Sequence, residues 1–471
     1  MHAPGVSFNM STNNSTSSIA DPNIGFAAVM AELGLDQHRS YLTALSGGAD
    51  SSALALLTQQ YAKAVGKPHH AVIVDHGLRD HSFAEACRVR DQMHSHEVAS
   101  SIISIKDPPP TSGLQEWARL HRHRILMSVA REQQAVLLFA HNADDQAETI
   151  AMRLLKMSGI TGLAGIPSMR AQHGVIISRP LLGWSHDRLL LVCRHFNYAF
   201  EDDPSNSDRQ FERVRIRQLL ASLDQKNKGL SSDQLRRLGV ISAKLYTAAT
   251  NANASSLGKA VDWHAAGYAT AKMMHLAGLS KFRWGLLISR LVKAISGSGY
   301  APSRAALDEL RNRIDIGLSA TIGGCHFSPV QMQRSGARDD PEKPLIYRLF
   351  RETGRHLITM PIRAGDEVVF AGCWLVKSQQ AGTLHAFGDL GKIGDGLNLK
   401  MIAKNIPEDW HLIPHRARQA IPVLTTLDGG LIYPQVKECN KTKLNASLLA
   451  RFLGMAQNPT FLADTSTSAR C

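Results

Sequence analysis

The sequence predicts an α/β protein: an N-terminal doubly wound parallel sheet, then a helical middle domain, then a small mixed α/β C-terminal domain. Three observations predict it. The first half alternates short apolar runs with stretches of helical spacing. The pattern turns mainly helical after residue 223, and short apolar runs return near Leu345. A length of 471 residues agrees with three domains at about 150 residues each.

Ser11 to Ser18 is rich in Ser, Thr and Asn, so residues 1–22 are expected to form a disordered tail. In the first domain, residues 23–222, strands are expected at Tyr41–Leu45, His70–Asp75, Ser101–Ile105, Ala135–Ala140 and Gly174–Ser178. Helical spacing follows the first four, at Ser51–Ala64, Phe83–His96, Gly113–Arg131 and Asp144–Lys156. Another helix is expected at Ser185–Phe196. Asp203-Pro204-Ser205-Asn206 is a turn that can cap one from Arg209 to about Ser222. Residues 223–345 form the expected helical domain, helical from Gly229 to about Ile316. Residues 346–471 carry apolar runs at Leu357–Ile362, Glu367–Phe370 and Cys373–Val376. A hairpin follows: Ala420–Thr425, Gly429-Gly430 and Leu431–Tyr433.

Composition narrows the class. The chain is 44% hydrophobic and 20% charged, which excludes wholesale disorder. No apolar run reaches the roughly 18 to 20 residues of a membrane span, and the N-terminus does not read as a secretory signal. The six cysteines include no CxxC pair, which removes the main support for iron–sulfur or zinc-ribbon sites. Reduced thiols and a cytoplasmic location are expected. Lys+Arg number 53 against 40 Asp+Glu, a net charge of +13. That surplus suits a polyanionic partner, and equally suits solubility.

Four elements carry chemistry. Leu45-Ser46-Gly47-Gly48-Ala49-Asp50-Ser51-Ser52 joins a strand to a helix. Its glycines let the backbone approach an anion, the helix start supplies N–H groups and a positive dipole end, and the serines add hydroxyls. It lacks the Lys of the GxxxxGK[ST] loop. Asp75 and His76 close the next strand, where ligands of such sheets bind. His141-Asn142-Ala143-Asp144-Asp145-Gln146-Ala147-Glu148-Thr149 closes the fourth. On a helix, Asp145 and Glu148 lie together and repel unless a cation separates them or one stays protonated. The cation could be Mg²⁺, an arginine or a substrate ammonium. The rival reading is a solvated acidic first turn. No second His stands at i+4 to support zinc. Last, Arg209 to Arg217 places four arginines against one glutamate on about two helical turns. They can grip phosphates, or form a solvated basic face. Arg119, Arg122 and Arg124 form a similar cluster.

The glycine loop resembles the PP-loop of the ATP pyrophosphatases, which implies a PP-loop ATPase type of sheet. All the elements together resemble the tRNA(Ile)-lysidine synthetase family. The resemblance rests on Ser46–Ser51, Val74–Arg79, Ser82, Glu85-Ala86, His141–Thr149, Ser158-Gly159-Ile160, Gly162–Gly165, Arg179–Leu182, Asp203–Asn206 and Arg213/Arg215/Arg217. It covers about residues 40 to 220. Beyond 225 it is looser, resting on Gly323-Gly324-Cys325, Ile421–Leu424 and Asp428-Gly429. Val214 stands where the family usually has Asn, and His123 where it usually has Tyr.

The resemblance implies ATP-dependent ligation of free lysine to carbon 2 of the wobble cytidine in the CAU anticodon of tRNA(Ile). The reaction passes through an adenylated cytidine. The product, lysidine, changes codon specificity from AUG to AUA and amino-acid identity from methionine to isoleucine. Implied ATP-binding residues are Ser46, Gly47, Gly48, Ala49, Asp50, Ser51, Asp75, His76 and His141. Mg²⁺ would accompany ATP near Asp50. Asp145 and Glu148 would hold lysine, with Asp145 also taking a proton. Arg213 or Arg215 would stabilise the transferring phosphoryl group. The later domains would grip tRNA, and the family suggests a homodimer. Sulfur transfer to cytidine is a rival, disfavoured by the scattered cysteines. A catalytically dead RNA-binding protein is another, disfavoured by intact Asp50, Asp145 and Glu148. A glutamine-dependent synthetase would need an ammonia-supplying domain.

Overall fold

The computed structural model describes residues 21–78, 81–105, 108–110, 112–172, 174–200, 212–225, 230–330, 345–353, 359–392, 408–434 and 448–452. Residues 1–20 of the expected tail, Arg79, the turn at 203–206 and Arg209 lie outside them. The chain falls into two compact units, Met1–Tyr246 and Thr247–Cys471.

The first unit is built on a six-stranded sheet. Its strands are β1 Tyr41–Leu45, β2 His69–Asp75, β3 Ser100–Ser104, β4 Val136–Leu138, β5 Met169–Gln172 and β6 Val175–Ser178, in the order β3-β2-β1-β4-β6-β5. All neighbours pair in parallel except β5, which runs antiparallel to β6. All five residues of β1 are buried, as a strand covered on both faces must be. Alternation divides them. Tyr41 and Leu45 face a core with Phe26, Met30, Leu54 and Leu57. Leu42 and Ala44 face one with Leu126, Met127, Leu137 and Ile177.

The helices are α1 Pro22–Glu32, α2 Ala49–Ala64, α3 Ser82–Ser95, α4 Leu114–Glu132, α5 Ala143–Leu155, α6 Ile160–Leu163, α7 His186–His195, α8 Glu212–Gln225 and α9 Ser232–Ala260. The expected strands and helices of this region are present, β1 with its expected ends and the others with ends displaced by at most three residues; the expected start of α8, at 209–211, lies outside the described residues. α1, α6 and β5 are not among the expected elements. α1 is apolar on several sides, which hides the 3.6-residue contrast between faces. β5 is an exposed edge strand and shows no apolar run.

The second unit mixes sheet and helix. Two strands, β7 Val261–His264 and β8 Tyr268–Lys272, interrupt the segment expected to be mainly helical. They are too short for their alternation to stand out in the sequence. With β9 Ala320–Ile322, β10 Cys325–Pro329 and β11 Ile346–Arg351 they form an antiparallel sheet, order β7-β8-β11-β10-β9. Helices α10 Lys281–Ser296 and α11 Arg304–Asp315 contribute Trp284, Leu287, Ile288, Leu310 and Ile314 to its core. Two smaller sheets follow. One contains the expected hairpin, now Pro422–Thr426 paired with Leu431–Ile432.

The loop after β1 shows what positions the site. Gly47 has φ +89°, and a Cβ there would lie 2.8 Å from Val89 Cγ2. Gly48 has an ordinary extended backbone and caps α2, with nothing within 4 Å of a Cβ built on it. The two glycines therefore have separate reasons. Gly47 is required by the fold, whereas Gly48 keeps space open in front of a helix start. Gly47→Ala should lower the stability of the unliganded chain by about 1–3 kcal/mol. Gly48→Ala should cost less than about 1 kcal/mol. Urea unfolding of both variants without nucleotide checks this, and equal losses would contradict it.

Candidate active site

The carboxyl ends of β1, β2 and β4 bring three of the sequence elements to one edge of the sheet. At β1, Ser51 closes the glycine loop. Its hydroxyl accepts from the Ser46 N–H at 3.1 Å, donates to Gly48 O at 3.0 Å and meets Ser46 Oγ at 3.0 Å. Ala49 is buried at the helix start. Asp50 is held from two directions. Its Oδ1 lies 2.8 Å from His186 Nδ1, and its Oδ2 accepts from Asn142 Nδ2 at 3.1 Å. The bond to Asp50 raises the pKa of His186, against the opposing effect of burial.

Asp75, at the end of β2, is buried and bonds to its own loop and to the neighbouring strand β3. Oδ1 accepts from the Gly77 N–H at 3.0 Å and Ser82 Oγ at 2.8 Å, and Oδ2 accepts from Ser104 Oγ at 3.2 Å. It thereby fixes the turn into α3. His76 and His141 each bury an Nδ1 with no hydrogen-bond partner among the described residues. Burial, followed by the fields of Arg179, Arg213, Arg119 and Arg122, pushes His141 down to about 3. It is therefore a neutral imidazole.

α5 begins with a capping box. Asn142 Oδ1 accepts from the N–H groups of Asp144 and Asp145, both at 2.9 Å, while Asp145 Oδ2 accepts from the Asn142 N–H at 3.1 Å. The box aims the other Asp145 oxygen along the helix toward Glu148. Between them lies Arg213. Its Nη2 donates to Asp145 Oδ1 and its Nε to Glu148 Oε2, both at 2.6 Å. Arg217 Nε donates to Glu148 Oε1, also at 2.6 Å. The cation that the sequence required between the two carboxylates is thus arginine in this structure. Glu148 is 1% exposed. Burial raises the pKa of Asp145, and Arg213 opposes the rise.

Arg213 and Arg217 share the face of α8 turned to α5, being four residues apart. Arg215 lies on the other side and is exposed. Val214, Ile216 and Leu220 are buried, and the last two meet Ala147, Ile150 and Ala151 of α5. The structure also supplies partners that were not among the expected site residues. Arg217 follows from the i, i+4 spacing and Asn142 from the capping-box pattern. His186 has no local sequence signal, because its partner is 136 residues away.

Residues 22–223 match the PP-loop domain family. A tRNA(Ile)-lysidine synthase of a Bradyrhizobium species is 40% identical over 183 residues, covering 38% of this chain and 51% of that protein. The one from Hyphomonas neptunium is 33% identical over 298 residues, covering 60% of this chain and 77% of that protein. A U34-tRNA thiolase from Methanococcus maripaludis is 21% identical, with a TM-score of 0.39 over 47% of this chain and 80% of that one. A likeness of that size carries no argument about function. The chain spans about half the length of the first curated relatives it matches, 51% and 58%. The Hyphomonas relative is matched over more than three quarters of its length, reaching past the PP-loop domain. On that likeness, the chain belongs to the tRNA(Ile)-lysidine synthase family.

Proposed function

We propose that this chain uses ATP to ligate free lysine to carbon 2 of the wobble cytidine in a tRNA(Ile) with a CAU anticodon. The product is lysidine, which makes an AUG-reading methionine anticodon read AUA as isoleucine. The observation that carries the reading is the carboxylate pair of half-buried Asp145 and buried Glu148, built to hold a cation and joined through Asn142 and Asp50 to the glycine loop.

In the first step the cytidine O2 attacks the α-phosphorus of ATP, and the bond to the bridging oxygen breaks to release pyrophosphate. Ser46, Gly47, Gly48, Ala49, Asp50 and Ser51 surround the departing phosphates, with donors from the start of α2. Asp75 holds the next loop in place. His76 and His141, neutral at their positions, face the nucleotide as uncharged hydrogen-bonding groups. In the second step the lysine ε-amine attacks carbon 2, and the carbon–oxygen bond breaks to expel AMP.

That amine must be neutral to attack, yet lysine arrives as an ammonium. The carboxylates bind the ammonium, and Asp145, its pKa raised by burial, accepts the proton. Arg213 occupies this position in the structure. Lysine therefore replaces Arg213 on the pair, while Arg217 stays bonded to Glu148. The released guanidinium is free to stabilise charge on the phosphoryl group.

Among the described residues, no three His, Cys, Asp or Glu side chains are placed to hold a metal. Both Asp50 oxygens are also bonded to protein groups. The donor set does not fit a metal held by the chain itself. Mg²⁺ belongs with the ATP phosphates, and no step here runs through it. The second unit supplies the charge for RNA: it holds 27 Lys+Arg against 17 Asp+Glu, and the first 26 against 23. A homodimer is part of the same proposal.

Labelled lysine should enter tRNA with a CAU anticodon only when ATP is present. Asp145→Asn should lose at least about 100-fold in turnover while keeping its circular dichroism spectrum. No incorporation by folded wild-type protein, or full turnover by the variant, would overturn the proposal.

A further inference from the structure

Arg119 and Arg122 take no part in the chemistry above. α4 places them three residues apart with His123 beside them, on the side turned to the sheet edge. Arg170 lies on the edge strand β5, opposite Ile177 of β6, and Arg179 follows β6 directly. Phe139, just after β4, ties the cluster together. The His123 and His141 rings lie 6.4 Å and 6.0 Å from it, and the Arg179 guanidinium 5.8 Å.

Burial is graded across the group. Arg119 and Arg170 are exposed, Arg122 is half-buried and Arg179 is buried. Arg179 is anchored through Nη1 to Pro167 O at 3.0 Å, but its Nε is buried without a partner. His141 and His76 bury unpartnered nitrogens nearby. Among the described residues, none of these four arginines is ion-paired to a carboxylate. They act on each other instead: burial, then Arg170 and Arg119, holds Arg179 down to about 10. Like charges gathered in this way are costly unless an anion completes them.

We propose that Arg119, Arg122, Arg170 and Arg179 form a phosphate subsite whose occupant is a backbone phosphodiester of the RNA substrate. The inference rests on the RNA-modifying reading given above. Two features favour RNA over the ATP phosphates. The glycine loop leads into α2, which packs on the opposite face of the sheet from α4. The two exposed arginines also stand at the rim, one on the edge strand, where a long polyanion can reach them.

The test uses the full chain and an anticodon stem-loop RNA with a CAU loop, titrated over a salt series. The double variant Arg119→Ala/Arg170→Ala changes two exposed side chains, so the fold should survive, as a thermal melt would show. Its RNA affinity should fall by about tenfold, and the slope of log affinity against log salt should drop by about two. ATP affinity should stay within about twofold. Arg170→Glu should weaken RNA binding further than Arg170→Ala. Unchanged RNA affinity and slope in the double variant would overturn the subsite. A loss confined to ATP would also overturn it and assign the cluster to the nucleotide. A wild-type chain that fails to bind the stem-loop at low salt would overturn the RNA-modifying reading itself.

Discussion

Glu148 is an almost fully buried carboxylate gripped on both oxygens by guanidinium groups, and the active edge of the first unit is arranged around it. A buried carboxylate is several kcal/mol unfavourable unless paired and hydrogen-bonded, so Glu148 fixes where α8 must lie. Beside the ion cluster, Ile216 and Leu220 of α8 pack on Ala147, Ile150 and Ala151 of α5. The apolar seam supplies adhesion and the charges supply register. The same cluster reaches the glycine loop through a continuous chain of bonds: Arg213 to Asp145, Asp145 to Asn142, Asn142 to Asp50. A change of occupant at the carboxylates is therefore coupled to the loop by bonded contacts.

Charge is distributed unequally along the chain. The net +13 divides into +3 for the first unit and +10 for the second. The unit with the ATP-type loop is nearly balanced, and two of its arginines answer the carboxylate pair. The exception is the cluster around Phe139, where, among the described residues, arginines collect without carboxylates.

Much of this was legible in the sequence, for local physical reasons. β1 and β2 are nearly all buried and centre on apolar residues because both faces are covered, and the glycine loop between β1 and α2 has its own residue signature. Asp145 and Glu148 could be placed together from helical spacing, and the need for a cation between them follows from electrostatics. Its identity did not follow, because Arg213 comes from a helix more than sixty residues further on. His186 was hidden for the same reason. β5 escaped because an exposed edge strand has no apolar run. β7 and β8 escaped because four or five residues are too few for alternation to show. The sequence spacing also did not separate Arg213 and Arg217 from Arg215. Only the packing of α8 on α5 decides which arginines face the carboxylates.

In the proposed reaction Arg213 stands in for the lysine ammonium. An occupant that must leave weakens the apparent affinity of its replacement. The direct measurement is the dissociation constant of free lysine, by calorimetry without RNA, for wild type and Arg213→Ala. The variant should bind lysine more tightly and lose turnover. Weaker lysine binding by a folded Arg213→Ala protein would contradict it.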